Sequence, residues 1–112
     1  MPNKIIGLIG IARRAGHTVI GFDAVRAAIL NGKAQCVLLA SDCSPKTEKE
    51  LTFAAAEHPC PILSVPADKA TLAAALGLQK PVAAVATDDR GFATAMQKAI
   101  DSANHSKEDV AL

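Results

Sequence analysis

Five consecutive apolar residues, CVLLA at positions 36–40, limit the possible folds more than any other stretch of this chain. A strand with one face in water alternates apolar and polar side chains, whereas an unbroken apolar run is typical of a strand that is covered on both faces. A second such run, VAAVA at 82–86, comes later in the chain. The sequence therefore predicts a sheet that lies between two layers of helices.

Helix and strand signals alternate along the rest of the chain. Asn3 is placed to cap a first helix that ends before Gly16, and Pro45 suits the first position of a helix that runs to about Glu57. The other predicted strands cover 17–20 and 61–65, and the other predicted helices cover 22–30, 68–76 and 91–102. We therefore predict an α/β fold, a three-layer α/β/α sandwich in a single domain at 1–103, followed by a frayed polar tail at 104–112.

The apolar residues of this chain are small and aliphatic. Half of the 112 residues are apolar, yet Trp and Tyr are absent and Phe occurs three times. The core must be built from Ala, Val, Ile and Leu, and aromatic platforms for stacking bases are nearly excluded. The apolar start of the chain reaches Arg13 and Arg14 too soon to span a membrane. Because three cysteines without a CxxC pair fit a reducing compartment, we predict a cytoplasmic protein with no membrane partner.

Charge is distributed unevenly along the chain. Residues 1–41 contain five Lys or Arg and one acidic residue, whereas residues 42–112 contain seven Lys or Arg and ten acidic residues. An excess of positive charge in one part of a small protein suggests contact with a polyanion. The alternative is an uneven scatter of charge without functional meaning, and the counts by themselves leave both open.

Sequence motifs for catalysis are absent. The chain has no GxSxG, P-loop, GxGxxG or HExxH motif. Cys43, just before a predicted helix, is the best candidate for a nucleophile, but the neighbouring Asp42 opposes formation of a thiolate. His58 and Cys60 are too few for a zinc site, which needs three or four protein ligands. We therefore predict no enzyme, no metal, no cofactor and no small-molecule substrate.

The stretch RRAGHTVIGFDAVRA, residues 13–27, places charged groups around the start of a helix. Gly21 lets a ligand approach the backbone closely, and the first N–H groups of the helix that follows carry a partial positive charge. We expect the cations on both sides of it in sequence to lie beside this helix start; they are Arg13, Arg14, His17, Arg26 and Lys33. Two structural alternatives stay open, because an arginine pair can complement a helix dipole and Gly21 can belong to an ordinary turn.

A second expectation concerns the turns that follow the first three strands. If these strands run parallel, Gly21 and the turns at 42–45 and 66–69 share one edge of the sheet. Ligands of layered α/β folds usually bind at such an edge.

Three segments of the chain resemble a known family. IGIARRAGHTVIGFDAV, KAQCVLLASDCSPKT and VAAVATDDRGFATAM occur in the order found in the bacterial YlxQ-type branch of the ribosomal protein L7Ae family, and the resemblance extends from about Ile5 to Ile100. It implies an α/β/α sandwich with a four-stranded mixed sheet that binds RNA. The typical RNA is a kink-turn, a bent duplex with a bulge beside tandem sheared G·A pairs. In the family, the start of the second helix enters the RNA groove through a Gly-x-Asn-Glu-x-x-Lys motif, helped by the loop after the third strand.

This family motif is only partly present here. Gly21 matches the family glycine, and Asp23 stands where base-reading members carry Asn. Ala24 and Ala27 stand at the Glu and Lys positions, so an acceptor for guanine and a cation are missing. Asp23 can accept a hydrogen bond from an exocyclic amine but, unlike Asn, cannot donate one.

The resemblance leads to a specific functional prediction. We predict a non-enzymatic, ribosomal-protein-like RNA-binding protein that recognises a kink-turn or similarly bent structured RNA, in a ribonucleoprotein associated with the ribosome. Its partner is ribosomal RNA or another kink-turn RNA. The predicted RNA-binding residues are Gly21, Phe22, Asp23, Arg26, Arg13, Arg14, Lys33 and Lys69. The alternatives are a protein-protein interaction module on the same fold that has lost base-specific RNA reading, and a thiol enzyme that uses Cys43.

Overall fold

The computed structural model describes residues 4–111, with side chains described through Ser102. Within these residues, five helices cover Lys4–Arg14 (α1), Phe22–Leu30 (α2), Pro45–Glu57 (α3), Lys69–Ala75 (α4) and Arg90–Ala111 (α5). Four strands cover Thr18–Ile20 (β1), Cys36–Leu39 (β2), Ile62–Ser64 (β3) and Ala84–Thr87 (β4). Helices and strands thus alternate in the predicted order. The predicted cap at Asn3 lies outside the described residues.

The four strands form one mixed sheet in the order β1-β4-β2-β3. Strand β4 is antiparallel to both of its neighbours, and it pairs Ala86 with Val19 of β1 and with Val37 of β2. Strands β2 and β3 are parallel, with Leu38 opposite Leu63. Strands β1, β2 and β3 therefore all run in the same direction, and the turns that follow them lie at one end of the sheet.

Helices cover both faces of the sheet, which confirms the three-layer α/β/α sandwich. Helices α1, α4 and α5 pack on one face, against side chains such as Leu38 and Val85. Helices α2 and α3 pack on the other face, against side chains such as Val37 and Ala86. Every residue of the central strands β2 and β4 is buried, whereas the edge strands β1 and β3 are partly exposed. The unbroken apolar runs of the sequence therefore mark the two central strands.

The core is aliphatic, as the composition predicts. Among the described residues, the largest fully buried side chains are those of Ile, Leu, Val, Met and Thr, without a phenyl ring. At such full burial, truncation of Leu51 to Ala would lower the free energy of unfolding by about 2–5 kcal/mol. Phe22 and Phe92 are half-buried and Phe53 is exposed, so the aromatic rings lie at the boundary of the core or outside it.

Side-chain caps fix the start of two helices. The Ser44 hydroxyl accepts a hydrogen bond from the Thr47 N–H (3.2 Å) at the start of α3, and the Asp68 carboxylate accepts one from the Thr71 N–H (2.8 Å) at the start of α4. The bond from the Thr71 N–H holds the pKa of the Asp68 carboxyl below its ordinary value. Because α3 and α4 follow β2 and β3 directly, these caps also fix the turns at the strand ends.

Helix α5 is longer than the sequence predicts. It runs from Arg90 to Ala111, past the expected end at Ser102. The polar composition after Ser102 suggested a frayed tail. However, this segment contains neither Gly nor Pro, the residues that commonly end a helix. The predicted fraying of 104–112 stays a prediction, and Leu112 lies outside the described residues. The observed strands are also shorter than predicted, and β4 begins at Ala84 rather than at position 82.

Candidate nucleic-acid interface

Three turns lie at the end of the sheet where β1, β2 and β3 finish, and we call this part of the molecule the Gly21 end. It comprises Gly21 and residues 41–45 and 66–69, next to the start of β4. The Ser41 N–H donates to the Ala67 carbonyl (2.8 Å), which joins the turns after β2 and β3. The expectation that these turns share one edge of the sheet is confirmed, because the first three strands run in the same direction.

Gly21 forms an open turn between β1 and α2. Its backbone angles, φ 95° and ψ 158°, fall in a region that only glycine adopts readily. Its N–H donates to the Ala84 carbonyl of β4 (3.0 Å), and its carbonyl accepts from the Val25 N–H (2.9 Å) in the first turn of α2. A Cβ built at Gly21 would meet no described atom within 4 Å beyond the chain neighbours. Backbone conformation rather than crowding therefore requires glycine, and the surface above it is accessible.

Helix α2 presents its start and one side to solvent. Its buried residues are Val25, Ala28 and Ile29, and the exposed residues of its first two turns are Asp23, Ala24, Arg26 and Ala27. The first N–H groups of a helix have no acceptor within the helix, so they give its start a partial positive charge. The positions where the family motif has Glu and Lys thus lie on exposed surface, with alanine at both.

Asp42 ties the turn after β2 to the start of α4. Its Oδ1 accepts a hydrogen bond from the Lys69 N–H (2.8 Å), and the Lys69 carbonyl accepts one from the Val82 N–H (3.1 Å). Lys69 is therefore fixed at the Gly21 end by contacts with two other segments. Its ammonium is close enough to the Cys43 thiol to oppose the rise in that thiol's pKa.

The surroundings of the Cys43 thiol raise its pKa above the ordinary value. Partial burial raises its pKa, and the carboxylates of Glu48 and Asp42 raise it further against the opposing charge of Lys69. A thiol nucleophile needs the opposite shift. These surroundings therefore argue against the thiol-enzyme alternative.

A groove of about 700 Å³ lies between α2 and α3 and starts at the Gly21 end; we call it the α2–α3 groove. Its charged lining residues are Asp23, Arg26, Lys46, Lys49, Glu50 and Glu57, and its aromatic ones are Phe22 and Phe53. The sequence analysis did not single out Lys46, Lys49 or Phe53. Their spacing of three and four residues, which places them on one face of a helix, is the signal that could have found them.

A different set of groups occupies the opposite end of the sheet, where β1, β2 and β3 begin and β4 finishes. We call it the His17 end. His17 Nδ1 lies 2.9 Å from Asp88 Oδ1, and both side chains are 44% exposed. The Phe92 ring packs beside the imidazole, with 6.0 Å between the ring centroids. His17 therefore pairs with Asp88 and packs on Phe92 at this end.

Arg13 and Arg14 lie at the His17 end rather than beside Gly21. They form the last turn of α1. The three residues of β1 lie between that turn and Gly21, a separation of about 10 Å along the strand. At this position the arginines complement the negative end of the α1 dipole.

Lys33 also lies at the His17 end. It follows α2, and the nearby Gln35 N–H donates to the Thr87 carbonyl (2.8 Å) where β4 finishes. The structure keeps Gly21, Phe22, Asp23 and Arg26 together on the β1–α2 turn and on α2. It places Lys69 at the same end of the sheet, but at the start of α4 on the other face. The other three predicted site residues lie at the His17 end. The expectation that every cation of this region lies beside the helix start is therefore wrong, because β1 and α2 each carry the chain from one end of the sheet to the other.

The remaining cysteines suit packing. Burial raises the pKa of the Cys36 thiol to about 12 and also raises the pKa of the Cys60 thiol. The described side chains include no group of three or more His, Cys, Asp or Glu that could hold a metal ion. Within residues 4–111, no helix combines the length and apolar character that a membrane crossing requires.

Comparison with known proteins identifies the family. The model of the ribosomal protein L7Ae/L30e/S12e/Gadd45 family matches residues 3–97. This match includes all four strands and both ends of the sheet. The chain belongs to this family.

Two sequence relatives belong to the YlxQ branch. The RNA-binding protein YlxQ of Bacillus subtilis is 35% identical over 94 residues, which cover 84% of this chain and 92% of that protein. The RNA-binding protein YlxQ of Enterococcus faecium is 30% identical over 98 residues, which cover 88% of this chain and 92% of that protein. The resemblance to the YlxQ-type branch is thereby confirmed.

Solved structures share the L7Ae-family fold. A protein of unknown function from Bacillus halodurans superposes with a TM-score of 0.81 and 29% identity, over 89% of this chain and 99% of that protein. The Giardia lamblia 15.5kD RNA binding protein superposes with a TM-score of 0.71 and 16% identity, over 88% of this chain and 83% of that protein. At that identity the Giardia protein supports the fold alone.

Proposed function

We propose that this chain is a non-enzymatic RNA-binding protein that recognises a kink-turn, or a similarly bent structured RNA, at the Gly21 end. The observation that carries the proposal is the open start of α2, where a glycine turn exposes the first helix N–H groups. Lys69 lies at the same end, and Arg26 is exposed one turn into α2. The family match and the two YlxQ relatives, which are RNA-binding proteins, support this function.

Each group at the Gly21 end has a role in this proposal. The N–H groups and the dipole of α2 attract RNA phosphates, and no side chain at Gly21 keeps the backbone away from them. Arg26 and Lys69 add positive charge for further phosphates, which fixes the position of the RNA without reading its bases. The Asp23 carboxylate accepts a hydrogen bond from an exocyclic amine of a base.

The proposed binding is modest in affinity. Ala24 and Ala27 are exposed where the family motif has Glu and Lys, so a base contact and a charged contact are missing. Each hydrogen bond to a charged group contributes about 1.5–3 kcal/mol when it forms. Recognition by this chain therefore relies on the shape of the RNA and on its phosphates more than on its bases.

The proposed setting is the cytoplasm, in association with the ribosome. The partner we propose is ribosomal RNA or another kink-turn RNA, bound as part of a ribonucleoprotein. Sequencing of RNA crosslinked to the protein in its own cell would identify the partner. Recovery of ribosomal RNA is the expected result, and recovery of RNAs without bent elements would contradict it.

A calorimetric titration tests recognition of the kink-turn. The protein is titrated at low salt with a kink-turn RNA and with the same RNA in which Watson–Crick pairs replace the G·A pairs. We expect a preference of about fivefold, equivalent to about 1 kcal/mol, for the kink-turn. Equal affinities for both RNAs and for a plain duplex would mean that the Gly21 end is a basic surface without selectivity for RNA shape. If this chain instead binds one partner protein regardless of salt and binds no RNA, the result would support the alternative of a protein-protein interaction module.

A further inference from the structure

The α2–α3 groove continues from the proposed RNA site. Helices α2 and α3 both start at the Gly21 end, and both lie on the same face of the sheet. Phe22 and Arg26 line the groove, and Phe22 directly follows Gly21. An RNA bound at the start of α2 would therefore have the groove beside it.

Two of the three Phe side chains of this chain line the groove. Phe22 is half-buried at the start of α2, whereas Phe53 of α3 is 73% exposed. Among the described residues, Phe53 is the one large apolar side chain that is exposed on these two helices. Aromatic stacking on bases, which the composition nearly excluded, is therefore possible at one position.

The cations of the groove lie between its open start and Phe53. Lys46 and Lys49 occupy the first two turns of α3, on the face that carries Phe53, and the rise of the helix puts about 10 Å between Lys46 and Phe53. Arg26 faces them from α2. Glu57 lies beyond Phe53, at the far end of the groove. A strand that enters from the Gly21 end would therefore meet three cations, together with the carboxylates of Asp23 and Glu50, before the ring, and Glu57 beyond it.

We propose that the α2–α3 groove binds a short unpaired RNA strand that extends from the structured RNA. One base stacks on Phe53, and the phosphates before it contact Arg26, Lys46 and Lys49. This inference rests on the proposed function, because the structured RNA must first dock at the Gly21 end. It adds a second binding element to that function: an aromatic platform for one base.

The groove fits RNA better than a protein helix for two reasons. A protein docking face usually presents a contiguous apolar patch, whereas this groove offers a single exposed ring. A single ring with neighbouring cations is the arrangement that binds unpaired nucleotides, because every base has a flat face that can stack. The acidic residues Asp23 and Glu50 also line the groove, so the cations do not form one uniform basic surface.

The experiment compares RNAs that differ only in an unpaired extension. One kink-turn RNA has blunt ends, and two others carry a short oligouridine extension at the 5′ or the 3′ end. Their affinities are measured for the wild-type protein, for Phe53→Ala and for Phe53→Tyr. Ile11→Ala is the matched control, because Ile11 is the exposed large apolar residue on α1, on the other face of the sheet.

We expect one of the two extensions to raise the wild-type affinity by about fivefold or more, the low end of the range for a base stacked on an aromatic side chain. Phe53→Ala should abolish this gain while binding of the blunt RNA is unchanged. Phe53→Tyr and Ile11→Ala should retain the gain. Lys46→Glu combined with Lys49→Glu should make binding of the extended RNA less salt-dependent than in the wild type.

Three results would overturn the inference, and they can be told apart. If the blunt kink-turn binds specifically but neither extension adds affinity, the groove does not bind RNA and the proposed function stands. If the blunt kink-turn is not preferred over its Watson–Crick counterpart, the proposed function fails and the inference fails with it. A change in sedimentation of the free protein on Phe53→Ala, with RNA affinities unchanged, would mark the groove as a contact between copies of the chain and would also overturn the inference.

Discussion

The two ends of the sheet both carry cations, yet they offer different chemistry. At the Gly21 end, backbone N–H groups at the start of α2 face solvent, and Lys69 is fixed by its own backbone contacts. At the His17 end, side chains pair with each other, as His17 does with Asp88. Arg13 and Arg14 there form the last turn of α1, which presents the negative end of its helix dipole instead. Helix polarity, rather than the number of cations, is therefore what favours the Gly21 end as the phosphate-binding end that we propose.

Charge counts along the sequence do not show this difference. The excess of positive charge in residues 1–41 suggests one basic surface. In the structure, however, Arg26 lies towards the Gly21 end, whereas Arg13, Arg14 and Lys33 lie at the His17 end. The positive charges that are concentrated in residues 1–41 of the sequence thus lie at opposite ends of the folded molecule.

The largest expected effect comes from exchange of a glycine at each end. Gly21→Ala forces a non-glycine residue into a strained backbone conformation and should lower the free energy of unfolding by about 1–3 kcal/mol. Gly16→Ala, at φ 80° in the turn after α1, should lower it by about 1–2 kcal/mol. Urea unfolding measures both costs, and RNA titration of the folded variants should show a loss of about tenfold or more for Gly21→Ala alone. An equal loss for Gly16→Ala would mean that the two ends do not differ in RNA binding.

Charge reversal at the two ends should have a somewhat smaller effect. Arg26→Glu should weaken RNA binding by about tenfold, since it removes a cation that pairs with a phosphate, and each phosphate that is no longer neutralised should reduce the log-log salt slope by about 0.7–0.9. Arg13→Glu combined with Arg14→Glu should leave the slope unchanged, because these residues lie at the His17 end. Salt-dependent titrations of the folded variants measure both. A shallower slope in the double variant would extend the RNA contact to the His17 end and would restore the sequence-based assignment of this pair.

Restoring the missing family side chains on α2 should change RNA affinity by less than charge reversal does. Asp23→Asn, Ala24→Glu and Ala27→Lys together supply the missing family side chains on exposed positions of α2. The triple variant should bind a kink-turn more tightly by about 1 kcal/mol, about fivefold, and should discriminate better against Watson–Crick pairs in place of the G·A pairs. Titration against the two RNAs measures both gains.

The control for this triple variant is Ala15→Lys. It adds the same net charge at an exposed position of the His17 end. We expect little change in affinity and none in discrimination. If Ala15→Lys gives the same gain as the triple variant, net charge rather than docking of α2 determines binding.

The smallest expected effect is protection of a native cysteine from alkylation by bound RNA, and its measurement needs no substitution. Cys43 lies at the Gly21 end and Cys60 at the His17 end, and both are half-buried. Since burial raises the pKa of both thiols, their thiolate fraction at pH 8 is below that of free cysteine, and alkylation should accelerate as the pH rises past 9. RNA should slow alkylation of Cys43 by a few-fold and leave Cys60 unaffected. Mass spectrometry follows both sites in one sample, and equal protection of both thiols would contradict the assignment of RNA to the Gly21 end.

Local signals in the sequence were sufficient for most elements of the fold. Helix α2 lies at the predicted positions, because a glycine precedes it and Asn31-Gly32 stops it. The apolar runs also identified the two central strands. The strand order could not be predicted from such signals, since pairing of β4 between β1 and β2 joins segments far apart in the chain; the mixed sheet was expected only from the family resemblance.

The candidate site was predictable only where it is local in sequence. Gly21, Phe22, Asp23 and Arg26 are close neighbours in the chain, and the structure keeps them together. The bond between Asp42 and the Lys69 N–H joins residues 27 positions apart, and no local pattern indicates it. The separation of Arg13 and Arg14 from Gly21 could have been foreseen, because the predicted strand at 17–20 already lies between them.

The position of β4 in the sheet bears on how the protein is made. Strands β1 and β2 do not pair with each other, so the sheet becomes continuous only through Ala84–Thr87, the last of the four described strands along the chain. The Ala84 carbonyl that accepts the Gly21 N–H arrives with the same segment. A nascent chain that ends before this strand therefore has the α2 sequence but lacks the hydrogen bond that fixes its starting turn. If RNA binds at the Gly21 end as we propose, competence to bind it therefore requires the chain through Thr87.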